Sequence, residues 1–238
     1  MHKYLLRFYK RGNMRFLSHL DLGRLFRRAI KRAEIDVEFS NGFNPHEKIN
    51  IVQPLSLGFE GESEYFEIAT KRSYDEKDLM ELLNASMPND IAFYECRTLD
   101  SSINNMSNKT QAALYNVYVK GSKEEFEALK IEDFLNRDEI YVLKRDKKTK
   151  TMVEKNVRTM VYSVTRGGSD SEGYYLNLAV RCASNESLNP VNLLASLYKF
   201  SGMEFTQEDS RISRMDLMTT NFKNEYVPLF DFDKNEEF

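Results

Sequence analysis

Apolar positions in the first hundred residues recur with two periods, and the switching between them lays out the elements. Lys3 to Tyr9 (KYLLRFY) reads as a strand closed by the turn KRGN. Leu22, Leu25, Phe26, Ala29 and Ala33 then fall at i, i+3, i+4, i+7 and i+11, one face of a helix. Ser18 opens that helix with Asp21 three residues on, a capping-box-like pair. Arg24, Arg27, Arg28, Lys31 and Arg32 take its remaining surface. The run 49–57 reads as extended, with Pro54 marking an edge or bulge. Glu64 to Thr70 (EYFEIAT) alternates like a strand, 75–85 is helical around Leu79, Leu82 and Leu83, and 91–97 is a last strand.

That order is β-α-β-β-α-β, the ferredoxin-like unit. The polar stretch DSSINNMSNKT (100–110) has the composition of a linker, and the order then recurs. Strands are expected at 113–119, 140–144, 157–165, 174–180 and 211–217, with helices at 122–129 and 190–200. The strands 140–144 and 157–165 flank the basic turn RDKKTK. The expectation is an α+β chain of two tandem ferredoxin-like units, 1–100 and 110–220. Each has an antiparallel sheet with helices on one face, and an acidic tail (221–238) follows. The alternative is a single mixed sheet wrapped by helices.

A hydrophobic share of 41% with 12% aromatics is enough for real cores and excludes global disorder. The net charge of −3 gives no whole-molecule signal for nucleic acid or membrane, but its distribution does. Residues 1–33 hold ten Lys/Arg against one acid, Asp21, for +9, so the other 205 carry −12. A basic end on an acidic protein suggests one directional surface for an anionic partner, or a solvated helix face. Cys96 and Cys182 match no metal-cluster spacing and read as buried free thiols. The start MHKYLLRFYKRG turns charged too early for a signal peptide, and no window approaches a membrane span, so a cytoplasmic protein is expected.

Candidate chemistry gathers in three segments, RGNMRFLSHLD (11–21), SNGFNPHEK (40–48) and LSLGFEGESEY (55–65). Free N–H groups at the start of the helix suit phosphate, with Ser18 capping and Arg15 as a bidentate clamp. Arg24 and Arg28 would track a phosphate backbone. In SNGFNPHEK, turn chemistry explains Asn41, Gly42, Asn44 and Pro45 but not Phe43, His46 and Lys48. An exposed aromatic there is an inward anchor or a base-stacking platform, with His46 and Lys48 at phosphate. His19 and His46 are the residues available for acid–base chemistry on RNA. The run KRDKKTKTMVEK (144–155) is a solvated turn or an auxiliary phosphate contact, and Gly167-Gly168 lacks the context of a phosphate loop.

RFLSHLDLGRLFRRAIKRA followed by SNGFNPHEKINIVQPLSLGFEGESEYFEI closely resembles the bacterial radical SAM-linked family, a family of unknown function. The resemblance is specific over residues 4–69 and thins beyond, though NPVNLL and RISRMDL also fit. It departs at Glu47, where the family pattern leads one to expect proline, and at Asn50, where it leads one to expect serine. The resemblance implies association with a radical SAM enzyme and, through gene context, with RNA metabolism. The chain lacks CxxxCxxC, so it is not that enzyme itself, and no cofactor or metal of its own is expected. The opening blocks also resemble, more weakly and at the level of fold, ferredoxin-like CRISPR RNA-processing proteins. The expected function is an RNA-binding or substrate-presenting accessory module. The alternatives are an RNA-processing or RNA-modifying enzyme using His19 and His46 as acid and base, and a protein-interaction scaffold.

Overall fold

The computed structural model of the chain describes residues 1–103, 105–146, 149–221 and 223–233. Its elements in chain order are β1 (His2–Lys10), α1 (His19–Arg32), β2 (Ile49–Val52), β3 (Glu60–Thr70), α2 (Glu76–Asn84) and β4 (Ile91–Leu99). There follow β5 (Ala112–Lys120), α3 (Lys123–Ala128), α4 (Ile131–Leu135), β6 (Tyr141–Arg145), β7 (Met152–Asn156), β8 (Val161–Ser169) and β9 (Gly173–Arg181). The last are α5 (Pro190–Phe200), β10 (Ser210–Thr220) and β11 (Tyr226–Pro228). The result is an α+β fold whose strands pair mostly antiparallel.

Two compact units divide the chain. One comprises Met1–Thr110 and Arg214–Phe238, the other Gln111–Ser213. In the first, β1 pairs antiparallel with β3 and β4, β2 pairs antiparallel with β3, and β11 pairs antiparallel with β10. α1 and α2 bury their apolar stripes on this sheet. Phe26 of α1 is the centre, with ring centroids 5.2 Å from Phe8, 4.8 Å from Phe66 and 5.2 Å from Phe93. Aromatic rings packed edge-on at this range stabilise a core beyond their buried area.

The second unit pairs β5 with β9 and β9 with β8, all antiparallel, and carries a separate β6–β7 hairpin. α5 starts as Asn189 and Pro190 suggest, the Asn189 side chain accepting from the Val191 N–H at 2.9 Å.

Several expectations are revised. The extended run at 49–57 ends at Val52, because Gln53 adopts φ +50° and Pro54 has no N–H for a ladder. The partner of β6 is 152–156 and not 157–165, since β8 starts at Val161 and joins β9. Lys147 and Lys148 of the basic turn lie outside the described residues, as do Asn104 of the linker and Phe222 and 234–238 of the tail. Residues from Arg214 onward belong to the first unit, and β11 and the turn Leu229–Asp231 order the segment before the end of the tail. Cys182 is buried and Cys96 only half-buried, and neither is in a disulfide.

Arg214 ties this returning segment to β3. Its guanidinium donates to both oxygens of Glu64, at 2.8 Å from Nε and closer from Nη2, and to the Gln53 carbonyl at 2.6 Å. Both side chains are 2% exposed. Two ions this deep are tolerated only when each satisfies the other. Arg214→Met, which leaves the Glu64 carboxylate buried without its partner, is expected to lower unfolding free energy by about 3–5 kcal/mol. Urea denaturation followed by circular dichroism checks this; an unchanged midpoint would show that the pair does not hold the unit together.

Candidate nucleic-acid interface

β1 ends in a tight reversal. Gly12 stands at φ +55°, and a Cβ there would meet the Asp90 carboxylate oxygen at 2.6 Å, so the position requires glycine. The 3-10 turn Gly12–Phe16 follows, and Ser18 then caps α1 as expected, accepting from the Asp21 N–H at 3.2 Å. The Ser18 hydroxyl also donates to Asp21 at 2.7 Å, and this bond, with the one from Arg24, holds the Asp21 carboxyl below its ordinary range. Arg15 sits 3.8 Å from Glu60, and its carbonyl accepts from the Gly58 N–H at 2.9 Å. That bond brings the 55–58 loop beside the helix start. Three large apolar side chains remain exposed on these segments: Phe16 (59%), Leu20 (71%) and Leu57 (60%).

Because Leu22, Phe26, Ala29 and Ile30 face the core, the cations of α1 point to solvent. Arg24 pairs with Asp21 at 2.8 Å and Arg27 with Glu47 at 3.4 Å. Among the described residues, Arg28, Lys31 and Arg32 enter no ion pair.

SNGFNPHEK is the tip of a short hairpin. Phe39 bridges to Glu47, the Ser40 N–H donates to the His46 carbonyl at 2.9 Å, and the Lys48 N–H to the Glu38 carbonyl at 2.7 Å. Its base is fastened to β3, the Glu38 N–H donating to the Ala69 carbonyl and the Ala69 N–H to that of Lys48. Gly42, at φ +125°, turns the tip, and Phe43 projects fully into solvent with Asn44 exposed beside it. His46 faces its own loop: Nδ1 lies 3.1 Å from the Ser40 hydroxyl and 3.4 Å from the Asn44 carbonyl oxygen.

Lys48 points elsewhere. It lines a cavity of about 450 Å³ together with Lys3, Asn50, Glu67, Ile68 and Leu99. His19 lines a third place, a crevice of about 10 Å³, the size of one water, beside Lys10 and Glu64. Burial and the neighbouring Lys10 charge push the His19 ring below its ordinary pKa. The Arg27–Glu47 pair links the hairpin arm to α1, while His19, His46 and Lys48 have separate surroundings. Among the described residues, no group of three or more His, Cys, Asp or Glu is placed to hold a metal ion.

Sequence reasoning missed Lys10, Glu64, Arg214, Lys3 and Glu67. Lys10 is 1% exposed, and burial lowers its pKa despite the Glu64 carboxylate. A signal existed: in β1, Lys10 shares the parity of Tyr4, Leu6 and Phe8, the positions facing the helices.

An α+β protein with a basic helix face and a solvent-exposed aromatic hairpin is therefore the class that fold and site define. Residues 3–190 match the model of the family described as uncharacterized protein conserved in bacteria (DUF2344), and the chain belongs to that family. No curated protein matches it. Among solved structures, a Cbf5-Nop10-Gar1 complex is similar at a TM-score of 0.47 and 8% identity, over 90% of this chain and 48% of that one. The chain thus spans about half of that protein, and a likeness this distant carries no inference.

A second charge network sits on the same strands. Arg7 donates to Glu95 at 2.6 Å, to Asp216 at 2.9 Å and to the Ser63 hydroxyl at 3.0 Å, while the Tyr65 hydroxyl donates to Asp216 at 2.5 Å. Burial pushes the Asp216 carboxyl from 3.8 up to about 6, against the opposing pull of Tyr65 and Arg7. The folded chain then binds more protons than the unfolded chain between these values. The contribution of Asp216 to stability is present at low pH and lost as pH rises through about 6. Relative to Asp216→Asn, the wild type should gain on the order of 2 kcal/mol between about pH 7.5 and 4.5, read by denaturant melts at both pH values. Parallel pH curves for the two proteins would contradict this.

Proposed function

We propose that the chain binds single-stranded RNA along the solvent face of α1 and the tip of the 38–48 hairpin. In this reading it is an accessory module of a radical SAM enzyme in the bacterial cytoplasm. The observation that carries the RNA reading is the fully exposed Phe43 on a hairpin linked by Glu47–Arg27 to a helix presenting Arg24, Arg28, Lys31 and Arg32. An aromatic beside a row of cations is what sequence-tolerant strand binding uses: bases stack, phosphates meet charge. Arg15 and Ser18 extend the cationic row to the helix start, and Asn44 and His46 shape the stacking tip. Two features support a protein partner. Residues 4–69 resemble radical SAM-linked proteins, and Phe16, Leu20 and Leu57 leave apolar surface uncovered. The platform we propose is a tandem ferredoxin-like arrangement. Its support is the β-α-β-β-α-β order of the first unit and the pairing of β1 with β4 and β3, and of β2 with β3. The module presents RNA and does not cleave it, a reading supported by the different surroundings of His19 and His46.

With about four phosphates neutralised, affinity for a labelled single strand should fall about fiftyfold between 50 and 200 mM salt. Arg24→Ala with Arg28→Ala should flatten that salt slope, and Phe43→Ala should cost about 1–3 kcal/mol of binding. Fluorescence anisotropy measures all three; salt-independent affinity or absent binding would refute the proposal.

A further inference from the structure

We infer that the cavity beside Lys48 holds one guanine nucleotide, base inward and phosphate at the rim. This deepens the RNA-binding reading and rests on it for the choice of a ribonucleotide. At about 450 Å³ the cavity is in the size range of small-ligand sites. Ile49, Ile68, Leu99 and Ile103 line it with apolar surface suited to a flat ring.

Its polar groups differ in kind. Burial raises the Glu67 carboxyl above its ordinary range, against the pull of the Asn50 and Met106 donors and of Lys3; as a carboxylate this half-buried group only accepts. Its Oε1 takes the Met106 N–H at 2.9 Å and its Oε2 takes the Asn50 side-chain amide at 2.5 Å. Each carboxylate oxygen can accept a second bond, so a ligand facing Glu67 must donate. Guanine places two donors side by side, N1–H and the N2 amino group. Adenine and cytosine set one donor next to an acceptor, and uracil sets its single N–H between two acceptors. A carboxylate therefore selects guanine among the four bases.

The rim is cationic. Lys3 Nζ donates to the Ser101 and Ile103 carbonyls at 2.8 and 2.6 Å, which leaves one of its three N–H groups. Lys48 Nζ has weaker company: a Glu38 carboxylate oxygen at 3.9 Å and the Met1 sulfur at 3.8 Å. An ammonium held this loosely is available to a phosphate. The base at Glu67 then keeps the phosphate away from that carboxylate.

The test compares ligands on the full wild-type chain by calorimetry: GMP against AMP, and the RNA pentamer UUGUU against the same strand with inosine for guanosine. Inosine lacks only the N2 amino donor, and losing a hydrogen bond to a charged group should weaken binding about tenfold or more. GMP should exceed AMP by at least as much. Glu67→Gln, with folding checked by its melt, should erase the guanine preference. Lys48→Ala, on the rim, should weaken both pentamers equally and leave the preference intact. Equal affinity for GMP and AMP, or for the two pentamers, overturns the inference. If that equality comes with salt-sensitive binding of a uridine hexamer, the RNA reading stands without the guanine site. GMP selectivity with no binding of any strand supports the cavity assignment and overturns the RNA reading.

Discussion

The Glu64 carboxylate and the Arg214 guanidinium are 150 residues apart in the chain and almost wholly out of water. Burying either alone would cost several kcal/mol, so the first unit is stable only with its last strand in place. The consequences reach outward from that pair. Arg214 also takes the Gln53 carbonyl, where the backbone turns to φ +50° and β2 ends. The chain leaving that turn forms the 55–58 loop, which the Gly58–Arg15 bond sets beside the start of α1. Lys10, buried in the same neighbourhood, feels both ions and borders the crevice that contains His19.

The basic face proposed to bind RNA is a by-product of how the core is filled. Phe26 sits among Phe8, Phe66 and Phe93, and with Leu22, Ala29 and Ile30 it fixes the rotation of α1 about its axis. The side of that helix away from the core then faces solvent, and Arg24, Arg27, Arg28, Lys31 and Arg32 stand there. The hairpin is held just as firmly, since hydrogen bonds to Ala69 set its base in register with β3. With its base fastened to β3, the hairpin presents Phe43 to solvent at its tip.

Local signals in the chain were readable, and long-range ones were not. The Ser18 cap, the Leu22/Phe26/Ala29 stripe and the helix over 190–200 follow from local spacing, and all occur. The Asn41-Gly42 turn is likewise legible, because only glycine suits the φ of Gly42. By contrast, nothing near Arg214 in sequence shows that it belongs with Glu64 and not with the strands before it. The β6–β7 hairpin escaped because MVEKN carries a single strong apolar pair and its turn is a charged run. At the site, SNGFNPHEK reads as one constellation, yet antiparallel pairing at its base sends Lys48 to a cavity while Phe43 stays at the tip. Nothing in EYFEIAT marks Glu67, and only the folded chain brings Lys3, Asn50 and Met106 around it.

Photocrosslinking of a 4-thiouridine-containing RNA to the full chain, with adducts mapped by mass spectrometry, tests the central claim most directly. The account predicts adducts on residues 24–32 of α1 and on the hairpin tip around Phe43. Adducts confined to residues 111–213, or spread evenly over the surface, would contradict it.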